Sequence, residues 1–277
     1  MFAIPTRLSV LLILCAAAGP AAAAENTLEL CRFTRTFNED FDSLSVSPWN
    51  AEKARWIAHT PWNGDFGDAR FLDPGVNGPF FVKDGILTIE ARKHPGDKWT
   101  SGLLASADPT TAGFSQTYGY FETRMKMPPG PGVWPAFWLA ASARKTDQTP
   151  AVEIDVIEYY GQFPDAYHSV VHVWGKGDKP GHRATDTITK VPSGSLTEDF
   201  HTYGVEVTRE SIVFYLDRRE VQRVPTPPEH DKPLMLLVNL ALGSGWPIDQ
   251  TPNPSHLLVD YVRAYALKDG GDPSCRD

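Results

Sequence analysis

Glu153-Ile154-Asp155-Val156-Ile157-Glu158 places three carboxylates within six residues. On a helix, offsets of 0, 2 and 5 fall at about 0°, 200° and 140°, so the acids share no face. On a regular strand Glu153 and Asp155 share one face while Glu158 points to the other. One extra residue restores the alignment: a β-bulge at Val156-Ile157 puts all three acids on one face, with Ile154 and its apolar neighbours in the core. Three negative charges crowded on a sheet face are costly unless some are protonated or used. The pattern therefore reads either as a solvent-facing acidic strand or as a chemical site, and apolar neighbours on both sides speak for the site. Two carboxylates flanking a scissile bond are what retaining glycoside hydrolysis requires. At a separation of about 5–5.5 Å one attacks the anomeric carbon while the other protonates the leaving oxygen. The middle acid can hydrogen-bond the nucleophile and adjust its charge. Metal binding is the rival use of three acids, but calcium loops carry Gly and turn residues rather than a β-branched strand.

Such an array needs a stiff sheet beneath it, and the rest of the chain supplies strands. Residues 86–92, 117–127, 133–140, 152–159, 168–174, 202–208, 211–217, 234–242 and 257–267 all alternate or run continuously apolar. Turn material such as Pro128-Pro129-Gly130-Pro131-Gly132 and Lys83-Asp84-Gly85 separates them. With no strong amphipathic helix between strands, the expected fold is all-β: antiparallel sheets in a sandwich or barrel. Composition agrees. The 277 residues hold 22 Gly and 24 Pro and are 11% aromatic and 22% charged, which argues against disorder and against a long coiled coil.

The first 24 residues read as a secretory signal peptide: a weakly positive start to Arg7, an apolar run Leu8 to Ala18, a Gly19-Pro20 break and small residues to Ala24. The apolar run is too short to span a membrane comfortably, and Cys15 lacks the small preceding residue that lipidation expects. Residues 25–277 then form one domain, secreted or periplasmic, and a monomer. Losing Arg7 takes the net charge from −8 to −9, which disfavours nucleic acid and anionic membranes as partners. Cys31 and Cys275 remain near the two ends, and an oxidising compartment favours a disulfide between them over two free thiols.

The six-residue acid pattern resembles the E-x-D-x-x-E signature of glycoside hydrolase family 16, in its β-bulge subgroup. Trp99-Thr100-Ser101-Gly102, Tyr118-Gly119-Tyr120-Phe121-Glu122 and Gly132-Val133-Trp134-Pro135-Ala136-Phe137-Trp138 look like that family too. So do Asn239-Leu240-Ala241-Leu242-Gly243 and Val259-Asp260-Tyr261-Val262-Arg263. The resemblance implies a β-jelly-roll of two curved antiparallel sheets with a sugar cleft on the concave face. It implies Glu153 as nucleophile, Asp155 as assisting acid and Glu158 as general acid/base.

By family position Trp134 and Trp138, four apart on one strand, lie near the cleaved bond, although either can equally be sandwich core. Trp246 looks like a loop platform at the cleft, Trp62 and Asn63 like outer-subsite residues, and His172 like a cleft residue on the leaving-group side. Flat aromatic rings suit the apolar faces of sugars. Glu122 and Arg124 share a strand face and are expected to pair as a structural salt bridge. Asp217-Arg218-Arg219 reads as a hairpin turn. The family often carries a structural calcium on the convex face, and the matching groups here are a carboxylate near Asp40, the Gly85 carbonyl and Asp260; catalysis itself requires no cofactor. The implied substrate is a polysaccharide, a β-1,3- or β-1,3-1,4-glucan or a bacterial exopolysaccharide cut internally. The loop 59–68 looks like secreted bacterial enzymes that trim succinoglycan-type exopolysaccharide. A non-catalytic carbohydrate-binding protein and a transglycosylase are the alternatives on the same fold.

Overall fold

The computed structural model describes residues 26–268 apart from 97 and 178, together with Cys275. The expected leader, including Cys15, lies outside the described residues. Two sheets face each other across a common core. One runs in the order Arg219–Pro225, Ser211–Leu216, His201–Val207, Gly119–Lys126, Ser255–Leu267, Ile86–His94, Lys98–Ser101, Ala69–Phe71, with Phe33–Glu39 and Phe80–Lys83 attached to its middle. The other runs His182–Lys190, Ala166–Trp174, Ala151–Glu158, Val133–Ala141, Leu234–Leu242, Leu103–Ala105, Trp56–Ile57, Val46–Ser47. The architecture is the jelly-roll that the family resemblance implies, one of the sandwich forms that the strand pattern leads one to expect. The sheets are mixed rather than purely antiparallel. Short parallel pairs join Val46–Ser47 to Trp56–Ile57 and Ala69–Phe71 to Lys98–Ser101, all at sheet margins where two or three residues need little register.

All nine strands expected from the pattern form, with ends shifted by up to two residues. His182–Lys190 was not legible. Its residues HRATDTITK are mostly exposed because it is an edge strand, covered on neither face, so no apolar alternation marks it.

The second sheet separates its two faces cleanly. Along Val133–Ala141, Val133, Phe137 and Leu139 enter the core between the sheets. Ala136, Trp138 and Ala140 join a second cluster on the opposite face, with Trp134 packed against it. Along Ala151–Glu158 the parity breaks: Val152, Ile154 and Val156 point into the main core, and so does Ile157 directly after Val156. The pairing records the same extra residue. Phe137 faces Ile157 while the adjacent Trp138 faces Asp155, and across the other edge Asp155 faces Val170 while Glu158 faces His168. Two consecutive residues inserted into the core are what bring Glu153, Asp155 and Glu158 onto one face.

Cys31 and Cys275 form a disulfide, with their Cα atoms 5.8 Å apart across 244 residues of sequence. Glu122 and Arg124 do not pair with each other, contrary to expectation. Glu122 is fully buried and takes a two-point contact from Arg218, whose Nη2 and Nε donate at 2.8 and 3.0 Å, while Arg124 bonds Asp260 at 2.6 Å. The hydroxyls of Tyr120 and Tyr265 donate to the remaining lone pairs of Glu122. A carboxylate with no access to water needs a fork of donors, and here Arg218 supplies it while Arg124 is taken by Asp260. The turn that delivers Arg218 has Asp217 and Arg218 both at positive φ, 50° and 62°, as a two-residue hairpin requires.

Candidate active site

The bulged strand opens into a cleft of about 670 Å³ lined by Glu153, Asp155 and Glu158 together with Trp62, Phe66, Trp134, Trp138 and Trp174. Asp155 is 5% exposed, and Glu153 and Glu158 are half-buried. One carboxylate oxygen each of Glu153 and Asp155 and a ring nitrogen of His172 lie within 4.8 Å of one another.

Each acid has its own donors. Trp174 Nε1 donates to Glu153 Oε2 at 3.0 Å. Trp134 Nε1 and the Tyr160 hydroxyl both donate to Glu158 Oε1, at 3.0 and 3.2 Å. Asp155 Oδ2 is buried and has no aligned hydrogen bond, although His172 Nε2 stands 3.2 Å away. No lysine or arginine makes an ion pair with any of the three acids among the described residues. Burial accordingly dominates their protonation. It pushes Glu153 up to about 8, with the charge of Asp155 adding to the rise and His172 and Trp174 opposing it. Burial, followed by the charge of Glu158, holds Asp155 well above the carboxylate range. Glu158 is raised by burial against the pull of Trp134 and Tyr160. A site that keeps protons on carboxyls near neutral pH is equipped for acid and base work.

The aromatic walls divide in two. Trp62 is exposed and meets Trp138 edge-on at 6.0 Å, so it offers a free ring to a ligand. Trp138 lines the cleft and is yet 5% exposed; its Nε1 donates to the buried Asn239 Oδ1 at 2.7 Å. It stiffens the floor of the cleft, on the face opposite the core between the sheets. Phe66 packs edge-on against both Trp134 and Trp138.

Of the expected site residues, His172, Trp246 and Asn63 are not among those lining the cleft, although His172 Nε2 stands beside Asp155. Trp246 does not line this cleft; it packs edge-on against Phe163 at 5.0 Å in a loop beyond the Glu158 end of the strand. Asn63 sits beside Trp62 with φ 58°, its N–H closing a turn onto the Thr60 carbonyl at 2.9 Å, and is not part of the lining. Sequence reasoning missed Tyr160 and Trp174 as donors. Tyr160 lies two residues beyond Glu158 and so shares its side of the extended chain, and the bulge turns that side toward the other two acids.

The expected calcium ligands are already engaged. Asp40 accepts from Arg263 Nη2 at 2.7 Å and from Asn38, and Asp260 accepts from Arg124. Gly85 lies beside the Asp40 carbonyl. With a guanidinium on each carboxylate, the donor set does not fit a cation as it stands.

Comparison with known proteins agrees with this geometry. Residues 77–263 match the family model for Glycosyl hydrolases family 16. The endo-1,3-1,4-beta-glycanase EglC of Rhizobium meliloti (strain 1021) is 34% identical over 255 residues, spanning 84% of this chain and 52% of that protein. The endo-1,3-1,4-beta-glycanase ExsH of the same organism is 34% identical over 265 residues, 87% of this chain and 53% of that one. This chain therefore spans about half the length of these relatives. A beta-glucanase of Rhodothermus marinus is 36% identical over 207 residues, 66% of this chain and 69% of that protein. In fold, the chain superposes on the catalytic domain of an endo-1,3-beta-glucanase (laminarinase) from Thermotoga petrophila RKU-1 with a TM-score of 0.67 at 24% identity, covering 86% and 99% of the two chains. The bulged acid strand, its tryptophan wall and these matches together place the chain in glycosyl hydrolase family 16.

Proposed function

We propose that this chain is a retaining endo-β-glucanase that hydrolyses internal β-1,3 or β-1,4 linkages of a β-glucan or exopolysaccharide. One observation carries the reading: a buried acid between two half-buried ones on one face of a bulged strand, with no lysine or arginine in ion-pair contact among the described residues, beside an open cleft walled by tryptophans. Glu153 attacks the anomeric carbon and Glu158 protonates the leaving oxygen, then returns as base to activate water. Asp155 holds a proton next to the nucleophile, which removes the repulsion that would otherwise oppose ionisation of Glu153. Trp134 and Tyr160 aim the Glu158 carboxyl, and Trp62 with Trp134 stacks on sugar rings. His172 faces Asp155. The names of the relatives, endo-1,3-1,4-beta-glycanases and a beta-glucanase, support a glucan substrate. An open cleft admits a chain away from its ends, so cleavage is internal. The leader pattern and the Cys31–Cys275 disulfide support a secreted or periplasmic protein. No helix among the described residues is long and apolar enough to cross a membrane.

The test is product analysis on laminarin, lichenan and a bacterial exopolysaccharide, with the first-formed anomer read by proton NMR. New reducing ends in the β configuration, appearing with a rapid fall in viscosity, are expected. Binding without new ends identifies a carbohydrate-binding protein instead, and products longer than the substrate identify a transglycosylase.

A further inference from the structure

His182 opens the edge strand His182–Lys190 directly opposite Trp174 on the neighbouring strand. Its ring stacks on the Trp174 indole with centroids 4.0 Å apart and planes 18° from parallel. It also stacks on His172 at 5.0 Å, and its Nε2 lies 2.8 Å from His172 Nδ1. The two rings it touches are the two that reach the acid pair. Trp174 Nε1 donates to Glu153 Oε2 at 3.0 Å, and His172 Nε2 stands 3.2 Å from Asp155 Oδ2.

We propose that His182 is a positioning residue for the acid site, clamping Trp174 against the strand so that its indole N–H stays on Glu153. The inference rests on the reading of Glu153 as nucleophile. Trp174 is 40% exposed and sits on the penultimate strand of the sheet; His172 also stacks on it, at 5.4 Å, and His182 at 4.0 Å is the nearer ring. The same contact orders His172. For His172 to present an N–H to Asp155 from Nε2, its Nδ1 must be bare, and a bare Nδ1 accepts from His182 Nε2–H. One exposed histidine thereby holds the donor to Glu153 and orients the imidazole that stands 3.2 Å from Asp155. The charged groups around Glu153 are Asp155 and Glu158 on its own strand and His172 on the next. Across the other edge it faces the neutral Ala140, and Arg144, Lys145 and Lys176 line the cleft nearby. Replacing His182 removes none of these groups; it changes how Trp174 and His172 are held.

An N–H donated to a carboxylate favours its charged form, so losing that donor makes Glu153 harder to ionise. In His182→Ala the acidic limb of the kcat/KM profile, measured on whichever glucan the wild type cleaves, is expected to move up by on the order of half a pH unit. The Trp174 indole N–H resonance, followed by NMR against pH without any substrate, is expected to move by the same amount. His182→Phe keeps the stack and loses the ring nitrogens; it is expected to return the indole titration to within about 0.2 unit of wild type. If the His182→Ala profile and indole titration superimpose on wild type, or if its rate falls only in step with its folded fraction, the proposal is overturned. A wild type that cleaves none of the glucans overturns the proposed function instead, and the indole titration still decides the role of His182.

Discussion

Two buried carboxylate sites, one on each sheet, solve the same electrostatic problem in opposite ways. On the first sheet Glu122 is fully buried and neutralised: a bidentate guanidinium from Arg218 and two tyrosine hydroxyls fill its lone pairs. On the second sheet Asp155 is buried nearly as deeply between Glu153 and Glu158, and its neighbours offer indole, phenol and imidazole nitrogen or oxygen but no guanidinium. The first arrangement meets the carboxylate with a donor on every side. The second leaves the charge unsettled, so that protons are held at high pH and can move. A neutralised acid is a structural part; an acid kept uncomfortable is available for chemistry.

Substitutions can break this contrast at several strengths. Glu153→Gln or Glu158→Gln is expected to lower turnover by at least about 10³-fold, because covalent attack or proton delivery is lost. Circular dichroism and thermal melting should show the fold unchanged; a variant with near-wild-type rate would remove these residues from the mechanism. Arg218→Ala reverses the pattern. It strands Glu122 without its cation and is expected to cost about 3 kcal/mol of stability in denaturant titration, with kcat per folded molecule intact. Adding Glu122→Gln to it should recover part of the loss.

The pH dependence of stability distinguishes the sites next. Glu153 sits at about 8 in the folded protein against an ordinary 4.5. Between those values the native state holds a proton that the unfolded chain has released, so stability falls as pH rises through the window. Glu153→Gln removes that proton site and is expected to flatten the slope, leaving the variant more stable than wild type at pH 8. A wild-type melting temperature that stays level from pH 5 to 8 would contradict the raised acids. The smallest effect concerns calcium. With Arg263 on Asp40 and Arg124 on Asp260, chelation is expected to leave the melting temperature unchanged. A clear drop would show that an ion displaces the arginines.

The acid site was legible to an unusual depth because its evidence is local. Offsets of 0, 2 and 5 in a strand of β-branched residues demand one extra residue, and the bulge appears at Val156-Ile157. Trp134 on the adjacent strand was placed there by family position, with parity adding only that it shares a face with Trp138. The paired guanidinium was not legible: Arg218 meets Glu122 across 96 residues, and the sequence neighbour Arg124 looked the better partner. The clamp was invisible for another reason. His182 belongs to a strand whose exposure erases the alternation by which strands are recognised.

What the amino-acid order determined alone is therefore the acid face, the all-β class and the family, since each rests on residue type at short spacing, where backbone geometry is known in advance. Which donor serves which acid was decided only in three dimensions. Trp138 finds Asn239 across 101 residues, and Trp174 finds Glu153 across 21. Strand order and register set those meetings, and both emerge from the packing of the whole sheet rather than from any one segment.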